Sequence, residues 1–174
     1  MKKASLVVIS AVAILLCVAC TNSKVETTSY KDSVSQALEQ ADLKDVTVSE
    51  DKEKNTITLG GVVHSDDAKQ KAAQVAQSAA GSRIVANEVS VQPVGAESEA
   101  KTMASNLDGA IEKNYKAALI ANGLDKQHID YKAKNGVLTL KGSVKTTDER
   151  QAAQKVAASV PNVDQVVNEI QLKR

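Results

Sequence analysis

The sequence predicts an α+β protein made of two tandem αββαβ domains, each a mixed three-stranded sheet covered on one face by two helices. Three observations predict it. The phrase "TLGGVV" at 58–63 returns as "TLKGSV" at 139–144. The same offset also pairs Ala37 and Leu38 with Ala118 and Leu119, Leu43 with Leu124, Asp67 with Asp148, and "VANE" at 85–88 with "VVNE" at 166–169. One register thus runs ungapped through most of each copy. The period exceeds the ~20–50 residues usual in solenoids, which favours two small domains over a stack of open repeats.

The chain opens with Lys2 and Lys3 before an uncharged apolar run at about 6–18. This is shorter than the ~20 residues of a membrane span and has the layout of a secretory signal. Cys17 and Cys20, the only cysteines, close it. The stretch resembles a bacterial lipobox. Cys20 is the candidate for lipidation because Ala19 precedes it, whereas Leu16 precedes Cys17, which itself stands where Leu is usual. The alternative is an ordinary cleaved signal with incidental cysteines. Residues 1–19 are then signal and 20–29 a lipidated tether, with diacylglyceryl and N-acyl chains giving multi-chain anchoring. By resemblance to proteobacterial sorting, Thr21 in place of Asp favours the outer membrane, facing the periplasm.

The first domain spans residues 30–92. Tyr30, Val34, Ala37, Leu38 and Ala41 lie at helical spacing, and a strand at about 46–50 turns near Asn55 into the repeated phrase. Leu59, Gly61 and Val63 share a strand face, and the glycine is expected to let a helix approach the sheet closely. That helix starts at Ser65 with Asp66 and Asp67 in its first turn, buries Ala72, Val75, Ala76 and Ala79, and stops at Gly81. A strand at about 84–91 completes the unit. Strand–helix–strand steps place the two strands parallel, while the preceding hairpin is antiparallel.

The second domain, 104–174, repeats each step. Ile111, Tyr115, Ala118 and Leu119 form the helix face, Asn122-Gly123 a C-cap, and Asn135-Gly136 a hairpin turn. Leu140, Gly142 and Val144 repeat the strand face. Thr146 and Glu149 form a capping box ahead of Ala153, Val156, Ala157 and Val160, Pro161-Asn162 end that helix, and the last strand covers about 163–172. Between the domains, "PVGAESEAKTM" at 93–103 has linker composition.

These residues offer little to an enzyme. His64 and His128 occupy non-equivalent positions, no metal-ligand spacing or phosphate-binding glycine motif occurs, and no cofactor is implied. Asp66 and Asp67 read as helix N-terminal acids rather than paired catalytic carboxylates. Asn87 and Asn168 recur on the apolar face of the last strand, which predicts a shared structural hydrogen bond. Tyr30, Tyr115 and Tyr131 are the only aromatics, so the cores are aliphatic.

The charge is where the copies part. Residues 30–93 hold 7 Lys/Arg against 10 Asp/Glu, and residues 104–174 hold 11 against 8. On the first helix of the second domain, Lys113, Lys116 and Ile120 fall within about 60° of one another, away from the core face. Their counterparts are Asp32, Ser35 and Glu39. A basic face with one exposed isoleucine suits shallow contact with anionic headgroups.

The "NGVLTLKGSV" of 135–144, the alanine-rich helix, the closing "VPNVDQVVNEIQL" and the order of elements resemble the BON domain of bacterial envelope proteins. The second copy is the closer match; the first departs at "AAGSRIVANEV", where the usual Gly-Val is replaced. A lipobox followed by two such domains is similar to dual-BON outer-membrane lipoproteins. The resemblance implies phospholipid binding and a part in envelope integrity or stress tolerance; the absence of catalysis is expected from the residues. The expected partner is an anionic phospholipid membrane. The alternative is a lipid-tethered adaptor that binds envelope proteins or peptidoglycan, and the export signal disfavours nucleic acid.

Overall fold

A computed structural model describes residues 29–173. The signal, Cys17 and Cys20 lie outside the described residues. The first domain comprises α1 (Tyr30–Gln40), β1 (Val46–Asp51), β2 (Thr56–Val63), α2 (Asp66–Ala79), β3 (Ile84–Asn87) and β4 (Ser90–Val91). The second comprises α3 (Glu97–Ala121), β5 (Ile129–Lys134), β6 (Val137–Val144), α4 (Thr147–Ala158), β7 (Gln165–Asn168) and β8 (Gln171–Leu172). In each, the central strand pairs antiparallel with the strand before it and parallel with the strands after its helix. The third strand expected at 84–91 and 163–172 is present but broken into two pieces in both copies.

Each domain has its own core. Val34, Leu38, Ile57, Leu59, Ala72 and Ala76 meet in the first, and Ile111, Tyr115, Leu138, Leu140, Ala153 and Ala157 in the second. The helices begin as their sequences dictate. Ser65 accepts from Ala68 N–H at 3.2 Å, and Thr146 with Glu149 forms the reciprocal capping box. Glu149's carboxyl, held first by the Thr146 N–H, lies below its ordinary range. Tyr30 departs from expectation: it is partly exposed and lies under the Arg83 guanidinium, 4.8 Å from the ring centre, rather than in the core.

The duplication is written in the backbone torsions. Positive φ occurs at Asp42 and Gly123, Asn55 and Gly136, Gly61 and Gly142, and Gly81 and Asn162, each pair standing one repeat apart. Three pairs exchange glycine for Asn or Asp, the side chains that best tolerate the left-handed region. The fourth is glycine in both copies. There φ reaches 92° and 107°, and a Cβ would run into the carbonyl oxygen of Asp45 or His128 at the start of the neighbouring strand. Gly61 and Gly142 thus serve the approach of β1 and β5 to the central strand, not the approach of a helix as the sequence predicts.

The register is not gapless. Val46 pairs with Gly61 and Ile129 with Gly142, so β5 starts two positions later in its copy than β1 does. The second copy therefore has two more residues ahead of its first strand and two fewer in its hairpin. Asn135 and Gly136, both at positive φ, make a two-residue turn of the type that matches strand twist. The longer first hairpin is closed instead by Asp51 Oδ1, which accepts from the Glu53 and Lys54 N–H groups.

The segment 93–103 is also not all linker. From Glu97 it is helix, continuous with α3, which at 25 residues is about 37 Å long. Glu, Ala, Lys and Met are strong helix formers, and once Ile111, Tyr115 and Leu119 anchor the helix, extension costs little nucleation.

The domains meet along β3 and β7. Ala86, Val137 and Val167 form a small shared apolar cluster. Around it the turn of each domain reaches the other's repeated glutamate: Lys54 Nζ lies 3.4 Å from Glu169, and Lys134 Nζ lies 3.0 Å from Glu88.

Gly142→Ala should destabilise the second domain by more than ~2 kcal/mol through strain and overlap, whereas Gly109→Ala, on an open helix face, should stabilise it by ~0.5–1 kcal/mol; denaturant melts of both decide. Residues 104–174, which retain every core residue of the second domain, should unfold cooperatively alone; a non-cooperative melt would show a shared core. Burial, with a smaller contribution from Tyr131, pushes the Tyr115 phenol well above the tyrosine range while its O–H donates to Ala153 O at 3.3 Å. A raised folded value means that this stability is complete below about pH 10 and declines as pH rises beyond it. Tyr115→Phe should shrink that alkaline loss in thermal melts of the 104–174 fragment.

Candidate functional site

One side of α3 packs on the second sheet and the other faces solvent. The packed side carries Ile111, Tyr115 and Leu119 at i, i+4, i+8. Flanking them, Asp108 and Glu112 hold the edge of the β5–β6 hairpin. Asp108 accepts from the Asn135 and Gly136 N–H groups at 2.8 and 3.1 Å, and Glu112 from Ala133 N–H at 3.0 Å. Burial disfavours the Glu112 charge, but the Lys132 ammonium and the Ala133 N–H outweigh it and hold the carboxyl below its usual range. These acids fix the rotation of the helix about its axis. They thereby decide which residues face outward.

The outward residues include Lys113, Lys116 and Ile120, all exposed, with Ile120 at 58%. The structure brings the three together on one helical stripe, as the spacing predicts. Among the described residues neither lysine forms a salt bridge, so both charges face solvent. The counterparts Asp32 and Glu39 are exposed on α1 and Ser35 is half-buried, so the same outer surface is acidic in the first domain.

The longer helix adds what the sequence reading misses. Thr102, Asn106 and Gly109 extend the stripe toward the first domain, giving about 27 Å from Thr102 to Ile120. Beside it, Met103 is 65% and Leu107 43% exposed. The signal is available: Ala100, Met103, Leu107 and Ile111 continue the core face at i+3 and i+4 straight through the expected linker.

The remaining sequence candidates take structural places. Asn87 Nδ2 donates to Lys69 O at 2.9 Å and Asn168 Nδ2 to Arg150 O at 3.3 Å. Lys69 and Arg150 are themselves counterparts in the repeat, so the bond ties strand to helix identically in both copies. His64 Nδ1 bonds Gln92 O at 2.8 Å. Asp66 and Asp67 stand in the first turn of α2. Among the described residues no cluster of His, Cys, Asp or Glu could hold a metal ion, and no helix is long and apolar enough to cross a membrane.

The match to a family model agrees with this architecture. The BON domain model matches twice, at residues 27–93 and 107–174. Among curated proteins, the osmotically-inducible protein Y of Escherichia coli K12 is 26% identical over 132 residues, covering 75% of this chain. The chain spans 64% of that relative's length. Two structures of CdsD, a structural protein of the type III secretion system of Chlamydia trachomatis, align over 82% of the chain. Their identities are 13% and 11%, with 67% and 91% of those chains covered and TM-scores of 0.34 and 0.35. The two matched segments coincide with the two cores and together account for most of the chain, which therefore belongs to the BON domain family and carries the domain twice in tandem.

Proposed function

We propose that this is a non-catalytic envelope lipoprotein, anchored through Cys20 in the outer membrane and facing the periplasm, whose second domain binds anionic phospholipid through α3 and so supports envelope integrity under stress. The observation that carries the reading is the α3 stripe, where two unpaired lysines flank an isoleucine that is 58% exposed. Each lysine near an anionic surface contributes ~1 kcal/mol, and an exposed isoleucine adds shallow apolar contact. No Trp or Phe is present to drive deeper insertion. The tether supports the same reading. A multi-chain anchor at Cys20 keeps a weakly binding helix at high effective concentration near the bilayer. The stress role draws on the name of the osmotically-inducible relative and on the implications of the family.

The decisive measurement is co-sedimentation of the unanchored soluble region with vesicles of graded anionic content. Lys113→Glu with Lys116→Glu should cut binding at least ~30-fold, the equivalent of two lost contacts of ~1 kcal/mol, while the melt is unchanged. Binding should also weaken as salt rises, because the lysines are exposed and screened. Equal binding by the charge-reversed chain, or by the acidic first domain alone, would pass the function to a tethered adaptor. Mass spectrometry of the mature N-terminus tests the anchor separately: an unacylated terminus downstream of Cys20 refutes it.

A further inference from the structure

β3 is an edge strand, and its outward backbone groups are met by a side chain from the other domain. Gln165 Nε2 donates to Val85 O at 2.6 Å, and Gln165 Oε1 accepts from Asn87 N–H at 3.1 Å. A primary amide that bonds Val85 O and Asn87 N–H does what the N–H and C=O of one residue of an added parallel strand would do. One step further along the same chain, Asn135 Nδ2 donates to Glu88 O at 2.8 Å.

Beside this edge runs a cleft of about 690 Å³ between β3 and α2. Gln70, Ala73, Gln74 and Gln77 line its helical wall and Val85 and Asn87 its strand wall; Asp66 and Asp164 stand at one end with Lys69, whose ammonium is held by Asn135 O at 2.7 Å. From Asp66 to Gln77 the helix rises about 16 Å, the length of about five extended residues. The second copy places a side-chain pair at the corresponding position. There Gln154, the counterpart of Ala73, accepts from Asn168 Nδ2 at 3.1 Å, and Asn168 Oδ1 accepts from Ile170 N–H. In the first copy Ala73 supplies no such group, and Asn87 Oδ1, on a residue only 8% exposed, has no hydrogen-bond partner among the described residues.

We propose that this groove takes an extended peptide segment of a partner protein, added as a strand on the β3 edge as β7 of the second domain withdraws with its Gln165 amide, with a basic residue toward Asp66 and Asp164. Side-chain amides along α2 suit a peptide backbone, which offers alternating donors and acceptors. Sugar rings find no aromatic face there, since no aromatic residue lines the cleft. The lysine stripe of α3 contributes nothing to the groove, so this inference stands apart from membrane binding.

The test uses the chain from residue 21 onward in solution, without lipid, and the peptide Lys-Thr-Val-Thr-Val followed by NMR. Its binding should shift the Val85 and Asn87 amides, tighten at least five-fold in Gln165→Ala, and weaken at least five-fold in Ala73→Gln, which copies Gln154 of the second domain and gives Asn87 the side-chain partner that Asn168 has. Replacing the peptide's lysine with glutamate should weaken it again. Ala73→Gln lies on a partly exposed helix face with a good helix former, so it decides the matter even where Gln165→Ala fails to fold. Equal affinity for the parent and Ala73→Gln overturns the proposal. So does self-association of Gln165→Ala through β3, which makes a second copy the occupant, or a shift of Val85 and Asn87 by a peptidoglycan disaccharide but not by the peptide.

Discussion

The close approach of two backbones at Gly61 and Gly142 governs more of this molecule than any side chain does. At those positions the central strand takes a positive φ so that the carbonyl of Asp45 or His128 can sit where a Cβ would otherwise be. The central strand bends there, pairing with one segment before the glycine and a second after it. The partner strand breaks opposite the bend, at Glu88-Val89 and at Glu169-Ile170. Val89 and Ile170 fall into the core from the break, while the glutamates turn toward the other domain and are largely covered. Those glutamates are the groups that the opposite domain's lysines reach. A steric demand inside each domain thus supplies the charges of the contact between domains.

That contact is mostly polar. Three apolar side chains meet at its centre, and the ion pairs and side-chain amide hydrogen bonds around them are of the kind that give orientation more than affinity. Glu169 shows the balance: its Oε2 accepts no hydrogen bond but lies between Lys54 and Lys141 at 3.4 and 3.9 Å. The Lys54 ammonium is correspondingly favoured, first by its bond to Asp51 and then by Glu169. The second core is built without reference to the first, and the arrangement of the two is set by matched surface chemistry.

What can be read from the sequence follows from which interactions are local. Helix starts at Ser65 and Thr146, the core positions of all four helices other than Tyr30, and the shared asparagine bond depend on spacing within one copy, and the second copy reinforces each. The glycine's purpose is hidden because its clash is with the far strand of the hairpin, at Asp45 or His128, and the helix that follows is the nearer suspect. The start of α3 is legible only in the spacing of Ala100, Met103, Leu107 and Ile111, because the residues around Ala100 and Met103 at 97–103 are mostly polar and resemble a linker in composition. Gln165 and Lys54 look like ordinary surface residues until the other domain is placed against them. The lysine stripe is legible as a helical face, and its length follows only from the apolar spacing that runs through 100–111.

The hairpin turn of the second domain has a consequence for chemical ageing. Asn-Gly is the sequence most prone to deamidation, because the glycine nitrogen can attack the asparagine side-chain carbonyl. Here both reacting groups are engaged: Gly136 N–H is held by Asp108 Oδ1 and Asn135 Nδ2 by Glu88 O. The helix that orients the lysines thereby also withholds the nucleophile. Loss of the Asn135 amide would put a carboxylate against the Glu88 carbonyl, at the seam between the domains. The durability of that seam against deamidation thus rests on Asp108 of α3 and the Glu88 carbonyl together.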